Sequence, residues 1–277
     1  MRIAYLGPAG TFTEDALAEA GFDEEFEPLR TATIGEAILA VERGEAERAL
    51  VPIENSTEGS VRPTLDTLAF EAAGVTIVGE HDYAVHVHLI ARPGTEIGAV
   101  EAVLSHPQPL AQCARFLHQL LPGVERRSVS STAAAVRMVA ESERPWAALG
   151  ARTAAELYGC EVLRERVEDE PDNVTRFVWI APRGTETGSS GPWKTSLVFS
   201  ELGADHPGAL VDALQEFSSR GINLSRIESR PLRRGLGRYM FFVDLEGAIA
   251  DAAIGEAIEE LRGKAESVRI LGSYSLA

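Results

Sequence analysis

Asp172-Asn173-Val174-Thr175-Arg176-Phe177 runs directly into Val178-Trp179-Ile180, and this junction decides how the chain is read. Val174 to Ile180 has the apolar character of a strand, yet an amide, a hydroxyl and a guanidinium stand at its beginning. Simple hydrophobic alternation would put an aliphatic residue at 175 or 176, so Thr-Arg reads as polar groups aimed into a cleft, with a guanidinium suited to an anion. An ordinary edge strand would account for the same residues, and the rest of the chain must choose between them.

Shortly beyond that strand lies Pro182-Arg183-Gly184-Thr185-Glu186-Thr187-Gly188-Ser189-Ser190-Gly191-Pro192, where neither helical nor strand periodicity survives. A Gly/Ser/Thr stretch bounded by prolines reads as a linker. Before it, strand-like runs (Ile3–Leu6, Ala49–Ile53, Val75–Val78, Val85–Ala91, Val100–Ser105, Ala147–Leu149, Thr175–Ile180) alternate with helical ones (Thr13–Ala20, Ile34–Arg43, Pro63–Phe70, Pro109–Leu121, Ala133–Glu141, Arg152–Tyr158). That alternation is an α/β pattern. Thr33 with Glu36 makes a capping box, and Thr132 is an N-cap candidate. After the linker come strand Thr195–Glu201, helix Pro207–Ser219, strands Ile222–Ser229 and Tyr239–Leu245, helix Ala250–Lys264 and strand Val268–Tyr274. This βαββαβ order is the ferredoxin-like plan.

The 277 residues suit about two domains, and 45% hydrophobic with 25% charged content describes an ordinary globular protein. No stretch of about 18 apolar residues occurs and the chain opens directly on a short strand, so a cytoplasmic enzyme or sensor is expected. Cys113 and Cys160 lack metal-ligand spacing and read as structural thiols; no metal site is expected. A net charge of −16 argues against nucleic acid or an anionic membrane as partner. Residues 193–277 hold 10 Lys+Arg against 12 Asp+Glu, which leaves −14 on the first part. Any anion site there must be built locally, from helix N-termini and a few arginines.

Four loops join strand ends to helix starts. Gly7-Pro8-Ala9-Gly10-Thr11-Phe12-Thr13 allows close backbone approach, with Thr11 or Thr13 and free N–H groups facing an anion, or it is a tight turn with a Thr cap. Val51-Pro52-Ile53-Glu54-Asn55-Ser56-Thr57-Glu58-Gly59-Ser60 ends a strand in consecutive polar residues, where open α/β sheets bind ligands; a solvated loop is the alternative. Neither Glu54 nor Glu58 has a paired acid. Ser105-His106-Pro107-Gln108-Pro109-Leu110-Ala111-Gln112 puts Gln108 and Gln112 on one helical face with Ser105 at its N-terminal end. A Ser-His pair there lacks a third member. Ser128-Val129-Ser130-Ser131-Thr132 suits backbone N–H contacts or plain capping.

In that order, with Leu149-Gly150 and the Asn-Val-Thr-Arg-Phe run, these motifs resemble the prephenate dehydratase family. The part after the linker is similar to the family's regulatory ACT domain through His206-Pro207-Gly208-Ala209-Leu210-Val211, Gly221-Ile222-Asn223-Leu224 and Glu228-Ser229-Arg230-Pro231. The resemblance covers the whole chain. It implies two α/β lobes similar to type 2 periplasmic binding proteins over residues 1–181 (the first lobe about 1–75 plus 165–181, the second about 76–164), a linker over 182–193 and an ACT domain over 194–277. The chain would cross between lobes near Gly74–His81 and return near Cys160–Pro171.

The resemblance also implies the reaction, prephenate to phenylpyruvate with loss of water and carbon dioxide, and no cofactor, since aromatisation drives it. Thr175, Ser105, Gln112 and Asn55 are the expected catalytic set, with Thr175 hydrogen-bonding the departing hydroxyl. Thr11, Glu54, Ser56, Thr57, Gln108, Thr132, Asn173, Arg176 and Phe177 are the expected substrate contacts, with Arg176 and Thr11 on carboxylates; Arg176 could instead pair with Asp169, Glu170 or Asp172. Phenylalanine is the expected allosteric effector, held between subunits of a homodimer or homotetramer by Gly208, Ala209, Leu210 and Val211 of one chain and Glu228, Ser229, Arg230 and Pro231 of another, with Asn223 and Leu224. Arogenate is the nearest alternative substrate, and a non-catalytic amino-acid sensor the alternative class. The Arg233-Arg234-Gly235-Leu236-Gly237-Arg238 segment reads as a solvated turn, and the absence of a helical extension ahead of the first strand points away from a fused chorismate mutase.

Overall fold

The computed structural model describes residues 1–21, 26–188, 190–202 and 207–276; Ser189 of the linker and His206 of the ACT motif lie outside them. The first lobe is built from β1 (Arg2–Leu6), α1 (Phe12–Glu19), β2 (Glu27–Thr31), α2 (Ile34–Glu42), β3 (Arg48–Asn55), a short β4 (Gly59–Ser60), α3 (Arg62–Phe70) and β5 (Val75–Ala84). The chain then forms β6 (His88–Ala91), β7 (Ala102–Ser105), α4 (Pro107–Gln112), α5 (Ala114–Leu120), β8 (Glu125–Ser128), α6 (Thr132–Glu141), β9 (Trp146–Gly150), α7 (Arg152–Leu157) and β10 (Glu161–Arg164). It returns to the first lobe with β11 (Val174–Pro182). The C-terminal domain follows as β12 (Trp193–Ser200), α8 (Ala209–Ser218), β13 (Leu224–Pro231), β14 (Tyr239–Glu246), α9 (Ala252–Lys264) and β15 (Ser267–Ser275).

Two sheets result. The second lobe has five strands in the order β10-β6-β9-β7-β8, while the other sheet runs β13-β14-β12-β15-β5-β11-β3-β1-β2 and so joins the first lobe to the C-terminal domain. In both lobes the central parallel strands are buried on both faces, which is why Ile3-Ala4-Tyr5 and Ala147-Ala148-Leu149 read as unbroken apolar runs.

The chain leaves the first lobe later than Gly74–His81. β5 continues to Ala84 because β11 pairs with it along its length, down to Val174↔Ala84, and the crossing falls at residues 85–87. Gly79-Glu80-His81-Asp82 lacks apolar alternation because Glu80 faces a polar cluster from the C-terminal domain. The outgoing and returning segments lie side by side, with Val85 N donating to Asn173 O at 2.8 Å and Val167 N to Val87 O at 2.8 Å. Three strands without an apolar pattern, β2, β8 and β10, are sheet edges with charged, partly exposed residues. The expected helix Pro109–Leu121 is broken at Cys113, whose φ of −112° and ψ of 20° separate α4 from α5.

The C-terminal sheet turns one face to α8 and α9 and the other to the first lobe. Val198, Met240, Phe242, Leu271 and Tyr274 share one core with Leu65, Leu68, Val178 and Ile180. β15 meets β5 at Gly272↔Ile77, where a Cβ on Gly272 would stand 2.3 Å from the Ile77 carbonyl oxygen; only glycine permits that approach. The linker is anchored at both ends: Arg183 N donates to Gly74 O at 2.7 Å, and Leu276 N to Pro192 O at 2.8 Å.

Candidate active site

A cavity of about 830 Å³ separates the two lobes. Its walls are the loops that follow the carboxyl ends of β1, β2, β3, β7 and β8, together with the start of β11. Ligands of open α/β sheets bind at such strand ends. Lobe contact is close at its rim: Gly10, at φ +79°, lies where a Cβ would stand 3.1 Å from Ala154 of α7, and Thr153 hydrogen-bonds Asp15 of α1.

Thr175 is half-buried on the cavity wall. Its Oγ1 accepts from Asn55 Nδ2 at 2.9 Å, so the hydroxyl proton remains available to a partner in the cavity. The same Asn55 amide donates to Asn173 Oδ1 at 2.8 Å, and Asn55 Oδ1 accepts from the N–H groups of Thr57 at 3.1 Å and Glu58 at 3.0 Å. Asn55 is 8% exposed and Asn173 4%; Asn55 holds the Thr175 oxygen and Asn173 in turn holds Asn55. Thr57 Oγ1 donates to Asn173 Oδ1 at 3.0 Å, and Ser56 Oγ accepts from Val174 N at 2.9 Å. The turn 55–58 is thus stapled to the beginning of β11, and Ser56 and Thr57 serve that staple without lining the cavity.

Three expectations change. Ser105 is fully buried and donates to Leu149 O at 2.8 Å, so it ties β7 to β9 and does not reach the cavity. Arg176 points away from the cavity into Glu54, Glu80 and Asp244, with nitrogen–oxygen separations of 2.9, 3.2 and 2.8 Å; neither it nor Glu54 lines the cavity, and its partners are not Asp169, Glu170 or Asp172. Burial opposes its charge, but Asp244 and Glu80 hold it firmly protonated. Ser131, not Thr132, caps α6, accepting from Ala134 N at 3.0 Å, and Thr132 follows as the first helical residue on the cavity wall.

Thr11, Gln108, Gln112 and Phe177 line the cavity as well. Gln112 Nε2 is buried without a hydrogen-bond partner, a donor set for a ligand oxygen. Phe177 is 2% exposed and meets Tyr83 edge-on, ring centres 6.4 Å apart. His106 caps α4, its Nδ1 accepting from Gln108 N.

Two cationic residues of the wall escape a reading of the sequence, Arg30 at the end of β2 and Arg137 on α6. Arg30 is held by Glu14 at 2.7 Å; Arg137 has no ion-pair partner among the described residues. Ala134 and Arg137 are one turn apart on a wall-facing stripe, a signal available from the α6 periodicity. The N–H of Gly10 is taken by Glu14 Oε2 at 2.5 Å, so that part of the α1 start already carries a carboxylate. Among the described residues, no Asp or Glu lines the cavity, although the chain holds 42 of them.

In the C-terminal domain, Gly208 has φ +99° and opens α8 without a side-chain cap; Ala209 and Leu210 are partly exposed, and Val211 is exposed. Asn223 Nδ2 donates to Glu246 Oε1 at 2.8 Å. Leu224 and Glu228 are partly exposed, and Ser229 and Pro231 exposed. Arg230 grasps Asp66 of α3 through both carboxylate oxygens at 2.7 Å, which ties the expected effector segment to the first lobe. Its position on β13 matches that of Arg226, two strand periods away on the face turned to the first lobe.

A two-lobed cleft enzyme with a ligand-sensing C-terminal domain is the class this architecture defines. The prephenate dehydratase profile matches residues 3–185 and the ACT domain profile residues 198–263. The prephenate dehydratase of Mycobacterium marinum is 43% identical over 281 residues, covering 99% of this chain and 88% of that one. A crystal structure of prephenate dehydratase from Arthrobacter aurescens in complex with L-Phe matches with a TM-score of 0.91 at 38% identity, over 99% of this chain and 90% of that one. A protein described as a novel type of quorum quenching acylase matches at 0.88 and 33% identity, over 100% and 98%. The chain belongs to the prephenate dehydratase family.

Proposed function

We propose that this protein is a prephenate dehydratase regulated by phenylalanine. The observation that carries the reading is a cavity lined by no Asp or Glu among the described residues of a strongly acidic chain, fringed by Arg30 and Arg137 from opposite lobes, with the Thr175 hydroxyl free to donate. Prephenate is a dicarboxylate, and a local excess of cations is what it requires.

Fragmentation moves the electron pair of the ring-to-carboxylate bond into the ring as carbon dioxide leaves, and the C4–oxygen bond breaks with its electrons on oxygen. Thr175 Oγ1–H supports that oxygen as charge develops, and the departing hydroxide takes a proton from solvent to leave as water. A free Thr is a weak acid, so hydrogen-bond stabilisation is its role. Asn55 holds Thr175 from behind and acts as a positioning residue, while Gln108, Gln112, Thr11 and Thr132 orient the substrate by neutral hydrogen bonds. Arg30 and Arg137 take the carboxylates in place of Arg176. No cofactor enters this scheme, because aromatisation supplies the driving force.

Phenylalanine is the effector, bound where Gly208 to Val211 of one copy faces the Glu228–Pro231 segment of another, with Asn223 and Leu224 beside it. The exposed Val211 and Ile227, at 64% and 48%, support a second copy there, in a homodimer or larger homo-oligomer. The site sits in a cytoplasmic enzyme on this reading. An acylase reading gains no support from Ser105 and His106: Ser105 is sealed against Leu149 and His106 caps a helix, so these two do not form an activated nucleophile at the cavity.

The test is turnover of purified protein on prephenate and on arogenate, with and without phenylalanine. Phenylpyruvate from prephenate, suppressed by phenylalanine, is expected. Greater activity on arogenate would reassign the substrate, and product from neither would favour a sensor.

A further inference from the structure

β3 and β11 carry two cross-strand pairs in succession, Asn55↔Thr175 and Glu54↔Arg176. Side chains alternate between sheet faces, so Asn55 and Thr175 face the cavity while Glu54 and Arg176 face the ACT domain. There they meet a third pair, Arg226↔Asp244 of β13 and β14. Asp244 Oδ2 accepts from Arg176 Nη2 at 2.8 Å, and Arg226 Nη2 donates to Ser60 Oγ at 2.8 Å, with its Nε 3.9 Å from Glu54. Lys194 Nζ reaches Glu80 at 2.5 Å and the Tyr274 hydroxyl reaches it at 3.0 Å, while Ser196 Oγ donates to Asp244 Oδ1 at 2.7 Å. Three cations face three carboxylates; Asp244 is 2% exposed, and Arg226 and Lys194 are each 8%.

We propose that Asp244 and Arg226 are positioning residues for Thr175, and that this cluster is the route by which effector binding to the ACT domain reaches the cavity. The proposal rests on the reading of Thr175 as leaving-group donor and of the ACT domain as phenylalanine sensor. Its logic is electrostatic. Charges this poorly solvated cannot part without leaving one another unpaired, so a shift of β13 and β14 draws Arg176 and Ser60 with it. Arg176 is the next residue to Thr175, and Ser60 pairs with Glu54 on the β4 hairpin beyond the Asn55 turn. β13 also carries Glu228 to Pro231, the segment assigned to the effector, so the two sites share one strand.

The experiment uses the full-length enzyme and compares Asp244→Asn, Tyr274→Phe and Arg233→Ala for prephenate turnover against phenylalanine, with phenylalanine binding measured by calorimetry. Asp244→Asn should raise the half-inhibitory concentration at least about tenfold, ~1.4 kcal/mol of lost coupling, leave phenylalanine binding within about twofold, and lower kcat with KM little changed. Tyr274→Phe removes one hydrogen bond from Glu80 and keeps the core; a shift of about two- to threefold is expected even if Asp244→Asn fails to fold. Arg233, exposed and paired with Asp66 across the same domain boundary, should have no effect.

Inhibition curves of Asp244→Asn or Tyr274→Phe that superimpose on wild type overturn the proposal, as does an equal shift in Arg233→Ala. A wild-type enzyme indifferent to phenylalanine overturns the regulatory reading itself. Undiminished turnover in Thr175→Ala overturns the catalytic one. Both outcomes differ from a regulated wild type whose Asp244→Asn variant is regulated identically.

Discussion

The two faces of β11 use opposite chemistries within one residue of each other. Toward the cavity, Thr175 and Asn55 form a neutral network in which each amide atom of Asn55 has an assigned partner. Toward the ACT domain, Arg176 sits among Glu54, Glu80 and Asp244 in a cluster of full charges. Neutral groups orient an anionic substrate without competing for the cations that bind it. Buried charges, by contrast, fix two bodies in one register because separating them is costly. Thr175 and Arg176 occupy one motif and do two jobs.

The sharpest way to break this contrast is Arg176→Met, which takes the cation from buried Asp244 and leaves Glu80 to Lys194 and Glu54 to the more distant Arg226. It should destabilise the protein by about 3 kcal/mol, in line with removal of one partner from a buried ion network, read as a lower denaturant midpoint. An unchanged midpoint with a raised KM for prephenate would return Arg176 to the substrate side. Thr175→Ala should do the reverse. Turnover falls at least about tenfold, ~1.4 kcal/mol of transition-state stabilisation, while the denaturant midpoint stays close to wild type.

Much of this is legible in the sequence, and the failures have a common cause. The α/β order and the βαββαβ domain follow from apolar periodicity, since those strands are buried on at least one face. Strands β2, β8 and β10 are not legible because an edge strand needs no apolar stripe, and missing β2 hides Arg30 at its end. The turn at Asn55 and the polar start of β11 stand out, but not that Asn55, Thr57 and Asn173 bond to one another while Ser56 is tied to Asp172 and Val174. Ser105 reads as functional because a hydroxyl at a strand end has two uses, and only the Leu149 carbonyl beside it decides. Arg176 can be assigned by alternation alone: if Thr175 faces the cavity, its neighbour cannot. The domain it faces instead lies beyond any local pattern, since Asp244 is 68 residues away.

Arg137 extends the comparison to the cavity rim. It is exposed and without an ion-pair partner among the described residues, so Arg137→Gln breaks no ion pair there and should act on substrate alone. KM for prephenate should rise about fivefold, near 1 kcal/mol, with kcat unchanged. A fall in kcat with constant KM would place Arg137 on the reacting centre instead.

The smallest effect concerns Glu14, whose carboxylate binds Gly10 N, the Tyr5 hydroxyl and Arg30. Burial alone would raise its pKa, but those three donors bring it below its usual 4.5. A carboxylate with a depressed folded pKa contributes stability that is complete above 4.5 and is lost as pH falls through the folded value. Its neighbour Asp15 has the opposite sign. Burial raises the Asp15 pKa despite hydrogen bonds from Thr153 and Tyr83, so its contribution is present at low pH and declines as pH rises. The two partly cancel in the wild-type curve, which makes the difference between wild type and Glu14→Gln the informative quantity. That difference in denaturant midpoint should shrink as pH falls below 4.5 and Glu14 protonates. A constant difference across that range would mean that Glu14 is held by packing and not by its charge.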